Sequence, residues 1–136
     1  MMKRIVAIIV LLSLLGLLAG CKLIQESRND PTIAKVELNG NPTTGFSWVY
    51  TIAPDDIIKI VSEDYIQDSN PQNFAGVGGT FVFIFEAVAQ GEATVTFHYL
   101  RPWEDVPPIK TVVYKAVVDE QGSLKLELIS DLFGVN

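Results

Sequence analysis

Cysteine and histidine are almost absent from this sequence of 136 residues, and their scarcity excludes several classes of function. The one cysteine, Cys21, has no disulfide partner within the chain and cannot build a thiolate metal site. The one histidine, His98, shares one face of a predicted strand with Thr94 and Thr96, which predicts an exposed position on a polar face. There is no second histidine, no nucleophile beside a base and no metal-ligand spacing, and the adjacent acids Glu104 and Asp105 are typical of a solvated loop. We therefore expect no enzyme, no metal site and no cofactor.

Basic residues are also scarce, since 10 Lys and Arg stand against 16 Asp and Glu. Lys3 and Arg4 precede an uncharged apolar run at residues 5–18, and small residues then lead to Cys21. This order is typical of a secretory signal, and the run is shorter than the roughly 20 residues that a transmembrane helix needs. Residues 1–20 contain two basic and no acidic residues, so the formal charge of the rest is 8 − 16 = −8. We therefore do not expect nucleic acid as a partner.

The residues before the cysteine indicate which kind of signal this is. Leu18-Ala19-Gly20-Cys21 resembles the signal of bacterial lipoproteins, in which the thiol receives a diacylglyceryl group. The resemblance implies a mature chain that begins at Cys21 and is anchored by lipid, including palmitate, to a membrane of the bacterial cell envelope, facing the periplasm or the exterior. The alternative is an ordinary signal with an incidental cysteine. The predicted division is a signal at 1–20, a lipid-anchored polar tether at 21–32 and one domain at 33–136.

The domain has the pattern of strands and turns throughout. Ala34, Val36 and Leu38 alternate with polar residues, the period of two that a half-buried strand requires. No stretch shows helical periodicity, and short strands with regular turn signals predict an all-β fold, an antiparallel β-sandwich. The predicted strands are 32–38, 46–52, 57–61 with 65–66, 80–88, 93–100, 109–118 and 123–129.

The first loop with unusual chemistry is Asn41-Pro42-Thr43-Thr44-Gly45-Phe46, which is followed two residues later by Trp48. Pro42 fixes its own φ and suits the second position of a turn, while Gly45 can adopt the positive φ that most residues avoid. The sequence therefore predicts a tight, preshaped loop with Thr43 and Thr44 near its tip. By itself such a loop is either a plain connection or a recognition surface.

Two further loops are unusual. Gly76-Val77-Gly78-Gly79 has three glycines in four residues, which lets another chain approach closely, but no Gly-Lys-Ser/Thr follows and it is not a phosphate loop. Arg101-Pro102-Trp103-Glu104 places an indole on a proline-stiffened loop beside an arginine, and these two residue types are enriched at binding hot spots. The alternatives are an ordinary glycine loop and a tryptophan packed into the core.

Taken together and in this order, the three loop motifs resemble those of the chagasin-type inhibitors of papain-like cysteine peptidases, over about residues 34–118. The resemblance implies an immunoglobulin-like antiparallel β-sandwich that brings the three loops together as a wedge, which enters the active-site cleft of the peptidase. It implies that Thr43 and Thr44 lie against the catalytic cysteine and histidine of the peptidase, with 76–79 and 101–104 on either side. Trp48 is the implied core tryptophan.

The implied function is reversible, non-covalent inhibition by a monomer, with a papain-like cysteine peptidase as the partner. The alternative is a lipid-anchored immunoglobulin-like structural or adhesion module of the cell envelope, without inhibitory activity, because such sandwiches host many functions. The motif loops favour the inhibitor, since a purely structural module would not need them.

The chain departs from the family pattern at both ends. Family members usually have a strand before the one that leads to the first motif, whereas here only the tether precedes it. An extra strand is predicted at 123–129, where Leu124, Leu126 and Leu128 alternate after a tight turn. We expect this strand to pair antiparallel with 109–118 and to bury its leucine face. The sequence leaves open whether it replaces the missing edge strand.

Overall fold

The computed structural model describes residues 30–134, so the predicted signal, Cys21 and most of the tether lie outside the described residues. The described residues contain no helix that is long and apolar enough to span a membrane. Their regular structure is seven strands and one short 3₁₀ turn at Pro42–Thr44. The strands are β1 (Ile33–Gly40), β2 (Ser47–Ala53), β3 (Ile58–Gln67), β4 (Gly79–Ala87), β5 (Gly91–Leu100), β6 (Lys110–Val118) and β7 (Leu124–Phe133).

The strands form two antiparallel sheets packed as a sandwich, which confirms the predicted fold class. One sheet has the order β1-β4-β3 and the other has the order β2-β5-β6-β7. The alternation along each strand sends every second side chain between the sheets. Val36 and Leu38 of β1 are buried there, as are Val95 and Phe97 of β5, while their polar neighbours face outward.

Aromatic rings fill the centre of the core. Phe83 of one sheet packs on Phe97 of the other, with ring centroids 4.9 Å apart. Trp48 meets Phe97 edge-on at 6.4 Å and is buried, as expected of the core tryptophan. Its indole Nε1 donates a hydrogen bond to the carbonyl of Asn39 at 3.0 Å, so the polar atom of this buried ring is satisfied.

β7 pairs antiparallel with β6, as predicted, but it continues to Phe133. Leu124 is buried and Leu126 is half-buried, whereas Leu128 is exposed, so the predicted burial of all three leucines is wrong at Leu128. The reason is position, because β7 is the outer edge of the four-stranded sheet and its register against β6 shifts beside Leu128, leaving Ile129 as the extra residue.

The strand directions place particular connections at each end of the sandwich. Gly40 pairs with Gly79, and Gln67 pairs with Gly79 as well. In the other sheet, Tyr99 pairs with Lys110, and Lys110 pairs with Phe133. The loop end of the sandwich therefore carries three connections and the last residues of β7; the connections are the first loop (41–46), the second loop (68–78) and the third loop (101–109).

The start of β1 lies at the opposite end of the sandwich. The carbonyl of Pro31 accepts a hydrogen bond from the N–H of Leu124 at 2.7 Å, and that of Thr32 accepts one from Ala87 at 2.8 Å. These bonds attach Pro31 and Thr32 to that end of both sheets.

Candidate functional site

The first loop is shaped by the side chain and backbone of Asn41. Its Oδ1 accepts hydrogen bonds from the N–H of Thr43 at 3.1 Å and from the Thr43 hydroxyl at 2.6 Å. Its carbonyl accepts from the N–H and the hydroxyl of Thr44 at 3.2 and 2.5 Å. The N–H of Gly45 donates to Pro42, and Gly45 has φ +83°, as the sequence predicts. The loop is therefore held by its own hydrogen bonds.

Asn41 also joins the first loop to the second. Its Nδ2 donates to the carbonyl of Gly76 at 2.7 Å, while its backbone N–H donates to the hydroxyl of Tyr99 at 2.8 Å. Gly76 has φ +78°, which favours glycine. At Gly78 the constraint is space instead, because a Cβ there would lie 3.2 Å from the carbonyl oxygen of Gly40.

Arg101 joins the third loop to the first. Its Nε donates to the carbonyl of Thr44 at 3.1 Å, and its guanidinium carbon lies 4.4 Å from the centroid of the Phe46 ring. The same guanidinium forms an ion pair with Glu104 at 3.1 Å. The Arg101 side chain thus connects the third loop to the first loop at two points, Thr44 and Phe46.

Trp103 packs beside the first loop without being buried. Its indole is 69% exposed, so it lies at the surface rather than in the core. The ring edge faces Gly45, where an added Cβ would lie 2.5 Å from the Cη2 atom of Trp103. Gly45 therefore has two reasons to be glycine, its positive φ and the close approach of the indole.

The three loop motifs thus meet at one end, and most of their residues are accessible. The exposed residues are Pro42, Thr43, Thr44, Gly76, Pro102, Trp103 and Glu104, and the half-buried residues are Asn41, Gly45, Phe46, Val77, Gly78 and Arg101.

Gly79 differs from the other motif residues because it is buried at the start of β4. A Cβ at this position would meet the carbonyl of Ile66 and would lie 2.7 Å from the hydroxyl of Tyr65. That hydroxyl is buried and has no hydrogen-bond partner among the described residues. Burial, together with the nearby Asp68, raises the pKa of Tyr65. The packing inside the domain therefore accounts for glycine at position 79.

His98 is half-buried, so the prediction of an exposed histidine is wrong. Its Nδ1 lies 3.0 Å from the Thr111 hydroxyl on the neighbouring strand, and this contact covers part of the ring. Residues 30–134 contain no group of three or more His, Cys, Asp or Glu side chains arranged to hold a metal ion.

Sequence reasoning missed an ordered segment within the second loop. Asn70 Oδ1 accepts from the N–H of Phe74 at 2.9 Å, and Asn70 Nδ2 donates to the carbonyl of Phe74 at 2.7 Å. Asn73 between them has φ +56°. The signal in the sequence was the pair of asparagines, since Asn hydrogen-bonds nearby backbone and tolerates positive φ. The consequence is that the exposed ring of Phe74 extends from a fixed backbone.

Comparison of the sequence with known proteins identifies its family. The family described as Chagasin family peptidase inhibitor I42 matches residues 31–118. Amoebiasin-1 from Entamoeba histolytica is 35% identical over 87 residues, covering 59% of this chain and 82% of that protein. Chagasin from Trypanosoma cruzi is 31% identical over 75 residues, covering 52% and 66%.

Among solved structures, the crystal structure of the cysteine protease inhibitor EhICP2 from Entamoeba histolytica aligns with a TM-score of 0.58 at 24% identity. The alignment covers 64% of this chain and 78% of that chain, and it shows a shared fold. The family match ends at residue 118, so β7 lies beyond it.

Proposed function

This chain belongs to the chagasin family of peptidase inhibitors, whose members inhibit cysteine peptidases and are not enzymes, and we propose that it inhibits papain-like cysteine peptidases by inserting its three loops into the active-site cleft. The observation that carries this proposal is the direct bonding between the loops. Asn41 bonds the second loop, Arg101 bonds the first loop from the third, and Trp103 packs on Gly45. The three loops therefore form one preorganised surface.

The tip of the first loop is the part that lies against the catalytic residues of the peptidase. Thr43 and Thr44 are exposed there, and their hydroxyls and N–H groups are bonded to Asn41. Cleavage of a bound chain requires a carbonyl in near-attack geometry on the thiolate. A loop held in a 3₁₀ turn does not present an extended peptide to the nucleophile, so it fills the cleft without being cut. Inhibition is accordingly reversible and non-covalent.

The two outer loops contact the walls of the cleft. The exposed indole of Trp103 supplies the largest apolar contact of the third loop, and Arg101 keeps that loop in position. On the other side, the half-buried backbone at Val77 and Gly78 lets the peptidase approach closely. Because the loops are already ordered, binding loses less conformational entropy than it would with mobile loops.

Inhibition of papain and cathepsin L by the purified protein tests this proposal. We expect inhibition by wild type, and Trp103→Ala should weaken it by about thirtyfold, the effect of an aromatic hot spot. Thermal melts should not change, since the indole is exposed. Val88→Ala, an exposed apolar truncation in the β4–β5 connection at the opposite end, is the matched control and should inhibit like wild type. If wild type leaves papain-like peptidases uninhibited at micromolar concentration, the structural-module alternative replaces the inhibitor.

We also propose that the protein is lipid-anchored through Cys21 in the bacterial cell envelope. Support comes from the order Leu18-Ala19-Gly20-Cys21 after an apolar run with a basic start. A secreted, membrane-held inhibitor meets secreted or invading peptidases where they act. Lipidation of Cys21 is tested by the substitution described in the Discussion.

A further inference from the structure

Large apolar side chains on the described surface are most exposed at the loop end of the sandwich. Phe133 is 73% exposed, Trp103 69% and Phe74 65%, and next come Leu132 and Ile66, which belong to the same end. Exposed apolar residues further along the strands or at the other end, such as Ile129 and Val88, are less exposed. A concentration of exposed aromatic rings is the signature of a binding surface.

Phe74 flanks the three motifs on the side of the second loop. It is two residues from Gly76, whose carbonyl is bonded to Asn41, so its backbone lies within about 7 Å of that bond along the chain. The two hydrogen bonds from the Asn70 side chain fix the backbone at Phe74. The ring is thus presented at little entropic cost on binding.

Phe133 flanks the motifs on the side of the third loop. It pairs with Lys110, the first residue after that loop, and the Lys110 ammonium lies 4.8 Å from the ring centroid. Lys110 is itself ion-paired with Asp131 at 3.0 Å. The next residue, Gly134, donates its N–H to the carbonyl of Ile109 at 2.7 Å, which attaches the end of β7 to the third loop.

Hydrogen bonds connect these elements in series. The second loop is bonded to the first by Asn41, the first is bonded to the third by Arg101, and the third is bonded to the end of β7 at Ile109. Phe74 and Phe133 therefore belong to the first and the last element of this series, and both lie outside the three loop motifs.

We infer that Phe74 and Phe133 are two further aromatic contacts, which bind apolar surface of the peptidase on the two shoulders of its cleft. This inference rests on the proposed function. The motif loops meet the cleft itself, whereas these two rings meet surface outside it, and surface outside the cleft differs between peptidases that share one catalytic mechanism. Phe74 and Phe133 are thus specificity-determining residues, and through Phe133 the binding surface extends to β7, which lies outside the family match.

The test is inhibition by the purified full chain carrying Phe74→Ala, Phe133→Ala or both, against several papain-like peptidases. Against the most strongly inhibited one, each single change should raise the inhibition constant about tenfold, and the double change about a hundredfold because the sites are separate. The increase should differ between peptidases. Val61→Ala on β3 and Ile129→Ala on β7 are the matched controls, since both remove exposed apolar groups away from the loop end.

Two conservative variants, light scattering and thermal melts test whether the effect comes from the rings themselves. Phe74→Tyr and Phe133→Tyr keep the rings and should restore inhibition. Light scattering of each variant should show the same monomeric mass. Melting temperatures should stay near that of wild type, because both rings are exposed.

If wild type inhibits while the two alanine variants inhibit equally well, the inference is overturned and the proposed function stands. A wild-type dimer that both Phe133→Ala and Ile129→Ala convert to monomer also overturns it, because β7 would then be a self-association surface. If wild type inhibits no papain-like peptidase, both are overturned.

Discussion

Gly45→Ala separates the shape of the first loop from the stability of the domain. The added methyl group must accept φ +83° and would lie 2.5 Å from the Cη2 atom of Trp103, whereas ordinary contacts begin at 3.4 Å. The indole must therefore move by roughly 1 Å or rotate away. The positive φ alone costs an alanine about 1–2 kcal/mol. A domain of this size loses about 4–8 °C in melting temperature for each kcal/mol.

Gly122→Ala is the matched control for this change. Gly122 has φ +81° in the turn between β6 and β7, and a Cβ there meets nothing within 4 Å. The two substitutions should therefore lower the melting temperature by similar amounts. The displacement of Trp103 is specific to Gly45, so Gly45→Ala alone should weaken papain inhibition, by about tenfold or more.

The assay is the inhibition constant for papain, measured well below both melting temperatures, with a thermal melt of each variant. Equal inhibition by the two variants would refute the reasoning, because it would show that the contact between Gly45 and Trp103 has no role in binding. A large loss of inhibition in Gly122→Ala would refute it as well, since that turn is at the far end of the sandwich.

Three further predictions concern the anchor, the core and the pH range of stability. Cys21→Ser should abolish lipidation and membrane retention, and incorporation of radiolabelled palmitate into that variant would contradict the proposed anchor. Trp48→Ala should remove about 3–5 kcal/mol of unfolding free energy through the cavity it leaves, while the folded fraction still inhibits papain; a variant with an unchanged melt and lost inhibition would place Trp48 in the binding surface instead. Burial, reinforced by the hydrogen bond to Glu63, raises the pKa of Tyr50 to about 12 from 10.0. Between pH 10 and pH 12 the folded state therefore binds more protons than the unfolded state. The free energy of unfolding should accordingly fall as the pH rises from 10 towards 12. The melting temperature of Tyr50→Phe should fall less steeply than that of wild type as the pH is raised over this range, and an identical pH dependence would contradict this account.

The sequence predicted most strands because burial between two sheets imposes a period of two, visible in residues such as Val36 and Leu38. Local chemistry likewise predicted the turn at Gly45, since Pro and Gly constrain their own φ. The extent of β7 was not predictable in this way. The alternation breaks at Ile129, where the extra residue changes which face each later side chain occupies. Leu128 is apolar and yet exposed because it lies on the edge strand of its sheet, and an alternating pattern does not show which strand lies at an edge.

The contacts within the candidate site could not be predicted from a local sequence pattern. Asn41 bonds Gly76, which is 35 positions away in sequence, and Arg101 bonds Thr44 across 57 positions. Such pairs depend on the complete fold. The resemblance to a family supplied the idea that the loops meet, whereas the exposure of Phe74 and Phe133 contradicts the usual tendency of phenylalanine to be buried. These two residues therefore required the structure.

The opposite positions of Pro31 and the motif loops have a mechanical consequence. A pull on the chain before Pro31, against a partner held on the loops, acts along the axis of β1. The part of the load that reaches the partner through the second loop, which leads into β4, is borne in shear by all eight pairs that β1 forms with β4, from Ile33 to Gly40, instead of opening them one at a time. Single-molecule pulling from the N-terminal side should accordingly record one high-force rupture of the sandwich. A domain attached to a surface in this way resists removal by force along the direction in which its bound partner would drag it.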